Sequence, residues 1–318
     1  MKKILLTLAL LSSLNFAFAN VSSSSGITST NQVINKVPIG VSPVTSFFAV
    51  GGKIGFTSAR GGVFYYNFED KKATQIGDFL PDNEYIWEAI ELNHNLYVAA
   101  RNGVYTCNLS DCKFTKIFNN LSGHDIWDIA NNKNSLFALD DTDHLVYQLD
   151  NTKVTALPKI QNGDIPKKLF VSSSGVYIGS ESGNLYKYNS GKQSWHKIAQ
   201  VGSLIWTIAE VKNQLVLGTQ SGDVLIFNGK LLKSLNLKST QNKAVGYVAA
   251  DKKFIFASND LGELFQYDGS HWSKINAQLD NNTVSGSLFV NGNYLYSGIK
   301  DNKLIRYDYV NKTVVVSH

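Results

Sequence analysis

The residues best suited to chemistry in this sequence lie in three short segments that recur every 40 residues. In each of them a large or charged side chain precedes a charged one, and the segments are Ile86-Trp87-Glu88, Ile126-Trp127-Asp128 and Pro166-Lys167-Lys168. If the fold brings Glu88, Asp128 and Lys168 together, two carboxylates and an ammonium can bind a charged ligand, exchange a proton or surround a metal ion. The tryptophans can stack on a sugar ring or on a side chain of a partner protein.

Recognisable catalytic patterns are missing from the sequence. It has no Gly-rich phosphate loop and no nucleophile motif. Its six histidines show no metal-ligand spacing, and His124, the best placed of them, is expected to be a solvated loop residue. We therefore predict no catalytic residue, no metal site and no cofactor. An enzyme that acts on a glycan or a lactone stays open as an alternative, with Glu88 and Asp128 near a metal ion.

The three segments belong to a repeat that covers most of the chain. Each copy has four short apolar strands, separated by turns of Gly, Asn, Asp or Lys. The copies start near residues 44, 86, 126, 166, 205, 245 and 284. Four strands in every forty residues, seven times over, predict an all-β fold, a seven-bladed β-propeller with four antiparallel strands per blade. We expect residues 33–318 to form this single domain.

One additional segment bears on how the ring closes. Val33 to Pro38 resembles a further outer strand upstream of the first complete copy. We expect it either to pair in the last blade beside Thr313 to Val316 or to replace that strand.

The chemistry-bearing residues occupy fixed places in the repeat. Trp87, Trp127 and Trp206 hold the second position of the innermost strand, and the charged residues hold the third. The loops that enter the innermost strands are expected to surround the mouth of the central channel, which we call the rim. Arg60 and Arg101 share a repeat position on the same rim, in the turn between the second and third strands. The predicted ligand-binding rim therefore consists of Arg60, Trp87, Glu88, Arg101, Trp127, Asp128, Lys168 and Trp206. Packing between blades and mutual pairing of the charges are the alternative uses of these residues.

The N-terminus predicts export. Met1-Lys2-Lys3 precedes the apolar run from Ile4 to Leu14, and Ala17-Phe18-Ala19 has the pattern of a cleavage site. We interpret residues 1–19 as a signal peptide cleaved after Ala19, because the apolar run is too short to cross a bilayer. Residues 20–32, rich in Ser and Thr, are expected to be a flexible lead-in. The protein is predicted to be periplasmic or secreted, without a membrane anchor, and an oxidising compartment permits a disulfide between Cys107 and Cys112.

Charge argues against two classes of partner. The formal net charge is +5, and the 30 basic residues are scattered among 25 acidic ones. Binding of nucleic acid or of an anionic membrane surface normally requires a clustered basic face. We therefore predict that the partner is neither of these.

The repeats resemble those of bacterial propellers of the two-component-regulator type and of WD40-like and YVTN-like propellers. The resemblance lies in Ile205-Trp206-Thr207-Ile208, Leu217-Gly218-Thr219 and Gly222-Asp223-Val224. Tyr267-Asp268-Gly269-Ser270-His271-Trp272 is similar to kelch and Asp-box repeats, although the Trp-Asp ending of WD40 blades is absent. The resemblance implies a propeller fold much more than a function.

A regular scaffold without a catalytic constellation favours a binding role. Our leading hypothesis is a non-catalytic propeller that recognises a protein or peptide on its rim. A lectin-like propeller is the alternative from another class, with Trp87, Trp127 and Trp206 as stacking platforms for a glycan.

Overall fold

The computed structural model describes residues 33–34, 43–60, 62–81, 84–117, 121–132, 135–150, 153–237, 243–275, 287–299 and 303–317. The predicted signal peptide, the lead-in at 20–32 and the inner-strand segment Val284-Ser285-Gly286 lie outside these residues.

The described residues form seven antiparallel sheets, which are the seven blades of a β-propeller. Blade one contains β1 (Val33–Ile34), β2 (Val44–Val50), β3 (Lys53–Ser58), β4 (Gly62–Asn67) and β5 (Lys72–Gln75). Blades two and three contain β6 (Ile86–Leu92), β7 (Asn95–Ala100), β8 (Gly103–Asn108), β9 (Thr115–Ile117), β10 (Ile126–Asn131), β11 (Leu136–Asp140), β12 (Leu145–Asp150) and β13 (Lys153–Ala156).

A short 3-10 turn at Gln161–Gly163 leads into the second half of the ring. Blades four and five contain β14 (Pro166–Ser172), β15 (Gly175–Ser180), β16 (Asn184–Asn189), β17 (Ser194–Gln200), β18 (Ile205–Val211), β19 (Gln214–Thr219), β20 (Val224–Phe227) and β21 (Leu232–Ser234). Blades six and seven contain β22 (Val245–Ala250), β23 (Ile255–Asn259), β24 (Leu264–Tyr267), β25 (Trp272–Lys274), β26 (Leu288–Asn291), β27 (Tyr294–Ile299), β28 (Lys303–Asp308) and β29 (Thr313–Val316). The predicted blade starts at 44, 86, 126, 166, 205 and 245 coincide with the first residues of six inner strands, so the predicted fold is confirmed.

Tight turns join the inner strands to their neighbours. Between β2 and β3 the loop is Gly51-Gly52, and between β6 and β7 it is Asn93-His94. All four residues have positive φ, between 52° and 75°. Two-residue loops of this kind twist with the strands they join, which explains why Gly and Asn recur at these points.

In three of the blades, close contact with the next blade depends on a glycine in the second strand. A Cβ on Gly179 would lie 2.6 Å from Ile205, the first inner residue of the next blade, and one on Gly218 would lie 2.8 Å from Val245. The same contact joins blade seven to blade one, where a Cβ on Gly298 would lie 2.7 Å from Val44. The core of the protein is therefore a series of similar interfaces between blades.

The ring closes through side chains. β1 pairs with β5 of blade one, with Val33 opposite Thr74, while blade seven has four strands of its own. The expectation that this segment completes or replaces the outer strand of the last blade is wrong. Two apolar residues can pair with any open edge of a sheet, and here they join the outer edge of their own blade. At the seam Arg306 Nη1 lies 2.7 Å from Glu69 Oε1.

Two tryptophans hold the outer edges of neighbouring blades together. Trp195 Nε1 donates to the carbonyl of Pro158 at 2.8 Å, and Trp272 Nε1 donates to that of Leu235 at 2.9 Å. Both bonds reach back to the preceding blade. These residues therefore have a structural role, which leaves Trp87, Trp127 and Trp206 for the rim.

The predicted disulfide between Cys107 and Cys112 is formed. Cys107 is in β8, whereas Cys112 lies in the turn before β9 rather than on the opposite arm of the hairpin. The turn packs against blade one, because a Cβ on Gly77 would lie 2.3 Å from the Cys112 carbonyl oxygen.

No helix among the described residues is long and apolar enough to cross a membrane.

Candidate functional site

The site is built on a β-bulge that recurs in the inner strands. In each of six blades the pairing register shifts between the first and third inner residues. The second residue is left out of the ladder, so its side chain is released from the usual alternation. These unpaired residues are Thr45, Trp87, Trp127, Lys167, Trp206 and Gly246.

The third inner residue has a structural role that sequence reasoning did not recognise. Its side-chain oxygen accepts a hydrogen bond from the backbone N–H of the fourth inner residue in the next blade. The observed pairs are Ser46 with Ala89 at 3.2 Å, Asp128 with Leu169 at 2.8 Å and Thr207 with Val248 at 3.1 Å. Glu88 accepts from the backbone of Ile129 in the same way. We call this bond the inner latch.

Lys168 occupies the same place in blade four, but an ammonium has no acceptor and cannot form the latch. Its Nζ turns back toward the preceding blades and lies 2.9 Å from Asp128 Oδ2 and 3.6 Å from Glu88 Oε2. The Asp128 side chain is only 2% exposed, whereas 29% of Glu88 remains accessible. The structure thus brings together the three charged residues predicted from the sequence, and we call them the channel triad.

Burial determines the protonation of the channel triad. It raises the pKa of Glu88 well above the ordinary value, and Asp128 adds to this shift while Lys168 opposes it. Burial alone would lower the pKa of Lys168, but the carboxylates of Asp128 and Glu88 raise it overall, so the ammonium is retained. Burial raises the pKa of the Tyr247 hydroxyl in blade six, whereas Lys168 lowers it. Tyr247 therefore lies within electrostatic reach of the channel triad.

Three of the second inner residues, Trp87, Trp127 and Lys167, form a continuous stack on the rim together with Tyr85 and Arg101. The rings of Trp87 and Trp127 are parallel within 2°, with centroids 5.0 Å apart, and Tyr85 lies 4.3 Å from Trp87. A cation occupies each end: Arg101 lies over Tyr85 and Lys167 over Trp127, both 5.6 Å from the ring centroid. We call these five residues the aromatic stack. Cation–π and ring–ring contacts of this kind hold side chains in one arrangement.

Carboxylates surround the aromatic stack. Trp87 Nε1 donates to Asp125 Oδ1 at 2.6 Å. Lys167 Nζ lies 3.1 Å from Asp141 Oδ1 and 3.9 Å from Glu181 Oε2. These contacts join blades two, three and four, so the rim in this sector acts as one surface.

Two predicted rim residues lie apart from this surface. Trp206 donates to Gln220 within blade five, and no ring or cation contact to it is found among the described residues. Arg60 is exposed, without a contact to the aromatic stack in the part of the chain described. Its assignment to the same repeat position as Arg101 is wrong, because Arg101 N donates to the carbonyl before its inner strand, and in blade one Ala59 makes that bond. The turn after β3 is one residue longer than the turn after β7.

Several site residues were missed by sequence reasoning. Asp141, Glu181 and Gln220 are among them, and they share the place of the predicted Arg101, the first residue after the second strand, where each is tied by its N–H to the residue before the inner strand. That residue is Tyr85 in blade two and Asp125 in blade three. The sequence could have revealed these residues, because the residue before the inner strand and the first residue after the second strand can both be counted from the predicted strands.

The geometry restricts the chemistry available. The facing rings of Trp87 and Trp127 cover each other, which removes those faces as platforms for a sugar. In the channel triad the Lys168 ammonium already neutralises Asp128, so a metal ion there would have to displace it. The pair Glu88 and Asp128 therefore offers little support for a metal-dependent enzyme.

One group among the described residues has ligand atoms close enough to hold a metal ion. His124 Nδ1 lies 2.8 Å from Asp140 Oδ2 and 3.8 Å from Asp143 Oδ2. Asp140 also accepts the N–H of Thr142 at 2.9 Å. Hydrogen bonds that fix the turn account for this arrangement without an ion.

No family model and no curated protein matches the chain. Solved structures do match. The extracellular domain of BT4673 from B. thetaiotaomicron, named as a two component system, is 18% identical with a TM-score of 0.70, over 91% of this chain and 40% of that chain. Virginiamycin B lyase from Staphylococcus aureus is 10% identical with a TM-score of 0.72, over 86% and 97%. PorZ, a surface component of the type-IX secretion system of Porphyromonas gingivalis, is 15% identical with a TM-score of 0.56, over 72% and 32%.

These likenesses confirm the propeller fold and the similarity to propellers of the two-component-regulator type. The chain spans about two fifths of the length of the BT4673 domain. The Cys107–Cys112 disulfide is typical of proteins in an oxidising compartment.

Proposed function

We propose that this protein is an exported, non-catalytic scaffold, in the periplasm or outside the cell, that recognises a protein or peptide on the rim of blades two to four. The aromatic stack is the observation that carries the proposal. Trp, Tyr and Arg are the residues most often responsible for affinity at protein interfaces. Here they are half-buried or exposed, adjacent to one another and held by hydrogen bonds before any partner arrives.

Preorganisation explains why such a surface can bind effectively. Ordering a long side chain on association costs about 0.5–1.5 kcal/mol. In the aromatic stack the side chains are already ordered when the protein folds, because Asp125 fixes Trp87 while Trp87 and Lys167 fix Trp127. A glycan is the less favoured partner, since the two tryptophans present their edges where a sugar would require a face.

The test is an affinity capture from the cell envelope with the mature protein and two matched variants. Trp127→Ala removes the centre of the aromatic stack, and Trp206→Ala removes the same residue type from the same bulge position outside it. We expect a partner that is captured by the parent and by Trp206→Ala but lost with Trp127→Ala, with circular dichroism unchanged in both. Capture that is lost equally in the two variants, or no partner at all, would contradict the proposal.

A further inference from the structure

The surroundings of the aromatic stack carry a charge opposite to that of the whole chain. Three carboxylates contact it directly, those of Asp125, Asp141 and Glu181. Asp140 interacts with Asp125, and Asp143 lies near Asp140 beside His124. The permanent cations in contact with this group are Arg101 and Lys167. The chain as a whole has a formal charge of +5. An acidic surface on a basic protein attracts a partner of positive charge.

The carboxylates are close enough to repel one another. Burial raises the pKa of Asp125, and the neighbouring Asp141 and Asp140 raise it further, although Trp87 and Arg101 oppose this. Glu181 and Asp143 are available to a partner, with side chains 51% and 50% exposed. A cation placed among these groups would relieve the repulsion without requiring the backbone to move.

Lys167 shows how a cation fits this surface. Its Nζ lies over the Trp127 ring and within 3.1 Å of Asp141. An aromatic face with a carboxylate beside it suits an ammonium or guanidinium group particularly well. The chain supplies one such cation at each end of the aromatic stack, and the exposed Glu181 carboxylate lies 3.9 Å from the Lys167 ammonium.

We infer that the partner segment is basic: an extended peptide whose Lys or Arg side chains pair with Glu181 and Asp143 while its backbone crosses the aromatic stack. This inference rests on the proposed function and names the chemical class of the partner. A second copy of this chain, which is itself rich in lysine, is the competing occupant.

Fluorescence anisotropy with three labelled peptides of equal length, rich in Lys, Glu or Ser, tests the inference on the mature protein. We expect the Lys peptide to bind best and to weaken as salt is raised, because exposed charges are screened. Glu181→Gln/Asp143→Asn should weaken its binding about five- to tenfold, as expected for two partly exposed pairs. Asp111→Asn is the matched control, since it removes an exposed charge on the outer edge of blade two and should change little.

Each other outcome overturns a different statement. Equal binding of the Glu and Lys peptides, or an equal loss of binding in Asp111→Asn, would overturn the inference that the partner segment is basic. The proposed function would remain intact if Trp127→Ala still abolishes capture of the partner. A dimer in sedimentation that the double variant dissociates would replace the peptide by a second copy. If no peptide binds and no partner is captured, the proposed function fails together with the inference.

Discussion

The rim of blades two to four and the rim of blade five have the same backbone conformation, but their side chains make different contacts. Trp127 and Trp206 sit on the same bulge, at the same repeat position. Trp127 stacks on Trp87 and carries Lys167 from the following blade, whereas Trp206 bonds only to Gln220 of its own blade among the described residues. The repeat therefore places a tryptophan on the rim, and its neighbours decide whether it joins a surface.

The third inner residue gives the same contrast in charge. Thr207 of blade five forms the inner latch with Val248 and carries no charge. Asp128 forms the same bond with Leu169 and also binds Lys168. One position thus serves packing alone in one blade, and packing together with a buried charge in another.

The largest expected effect is the loss of the Lys168 ammonium. Lys168→Met leaves the buried Asp128 without its cation, which typically costs about 3–5 kcal/mol. Thr207→Val, which breaks the neutral latch of blade five, should cost about 1–3 kcal/mol. Urea denaturation of both variants measures the difference, and equal losses would show that the charge in the channel triad adds nothing.

The outer edge offers the second comparison. Blade two is held by the Cys107–Cys112 disulfide, whereas blade six is held by the bond from Trp272 to Leu235. Cys107→Ala/Cys112→Ala should lower the free energy of unfolding by about 2 kcal/mol, because a short closed loop is released. Trp272→Phe should cost about 1 kcal/mol through the lost hydrogen bond. A double cysteine variant that unfolds at the same urea concentration as the parent would sink this prediction.

The third comparison concerns the dependence of stability on pH. The folded pKa of Glu88 is raised, so the folded state favours the protonated carboxyl, and stability falls as pH rises past 4.5 through the raised value. The charged and titratable groups facing it are Lys168, Asp128 and Tyr247. Glu88→Gln remains neutral, so it should be more stable than the parent at pH 8 and equal to it at pH 4. The gain is about 1.4 kcal/mol for each unit of raised pKa.

Melting temperatures of parent and Glu88→Gln at several pH values check this prediction. Glu181→Gln is the control, because its side chain is half exposed and lies outside the channel triad. A difference between parent and Glu88→Gln that stays constant with pH would contradict a raised pKa.

The blade boundaries were predictable because the signals for them are local. Apolar runs such as Leu215 to Leu217, with turn residues between them, place each strand without knowledge of its partner. The same counting brings Glu88, Asp128 and Lys168 to one ring of positions, where the structure finds them together.

Contacts across blades were less accessible from the sequence. The residue types do not predict the bulge that stacks Trp87 on Trp127, because a bulge depends on how two strands pair. Arg60 shows the same limit, because one additional residue in a turn shifts its position relative to Arg101. The partner of β1 was wrongly predicted because two apolar residues do not indicate which sheet edge they will pair with.

The seam between blades seven and one has a consequence for how such a protein can change over generations. No strand of the described residues is shared across it, and Gly298 contacts Val44 as Gly218 contacts Val245 inside the ring. Each described blade is one continuous stretch of chain, so a duplicated stretch of gene would encode an entire sheet rather than parts of two. Insertion or loss of one whole copy next to such a glycine would restore the contact with the following inner strand, and the number of blades can therefore change in whole steps.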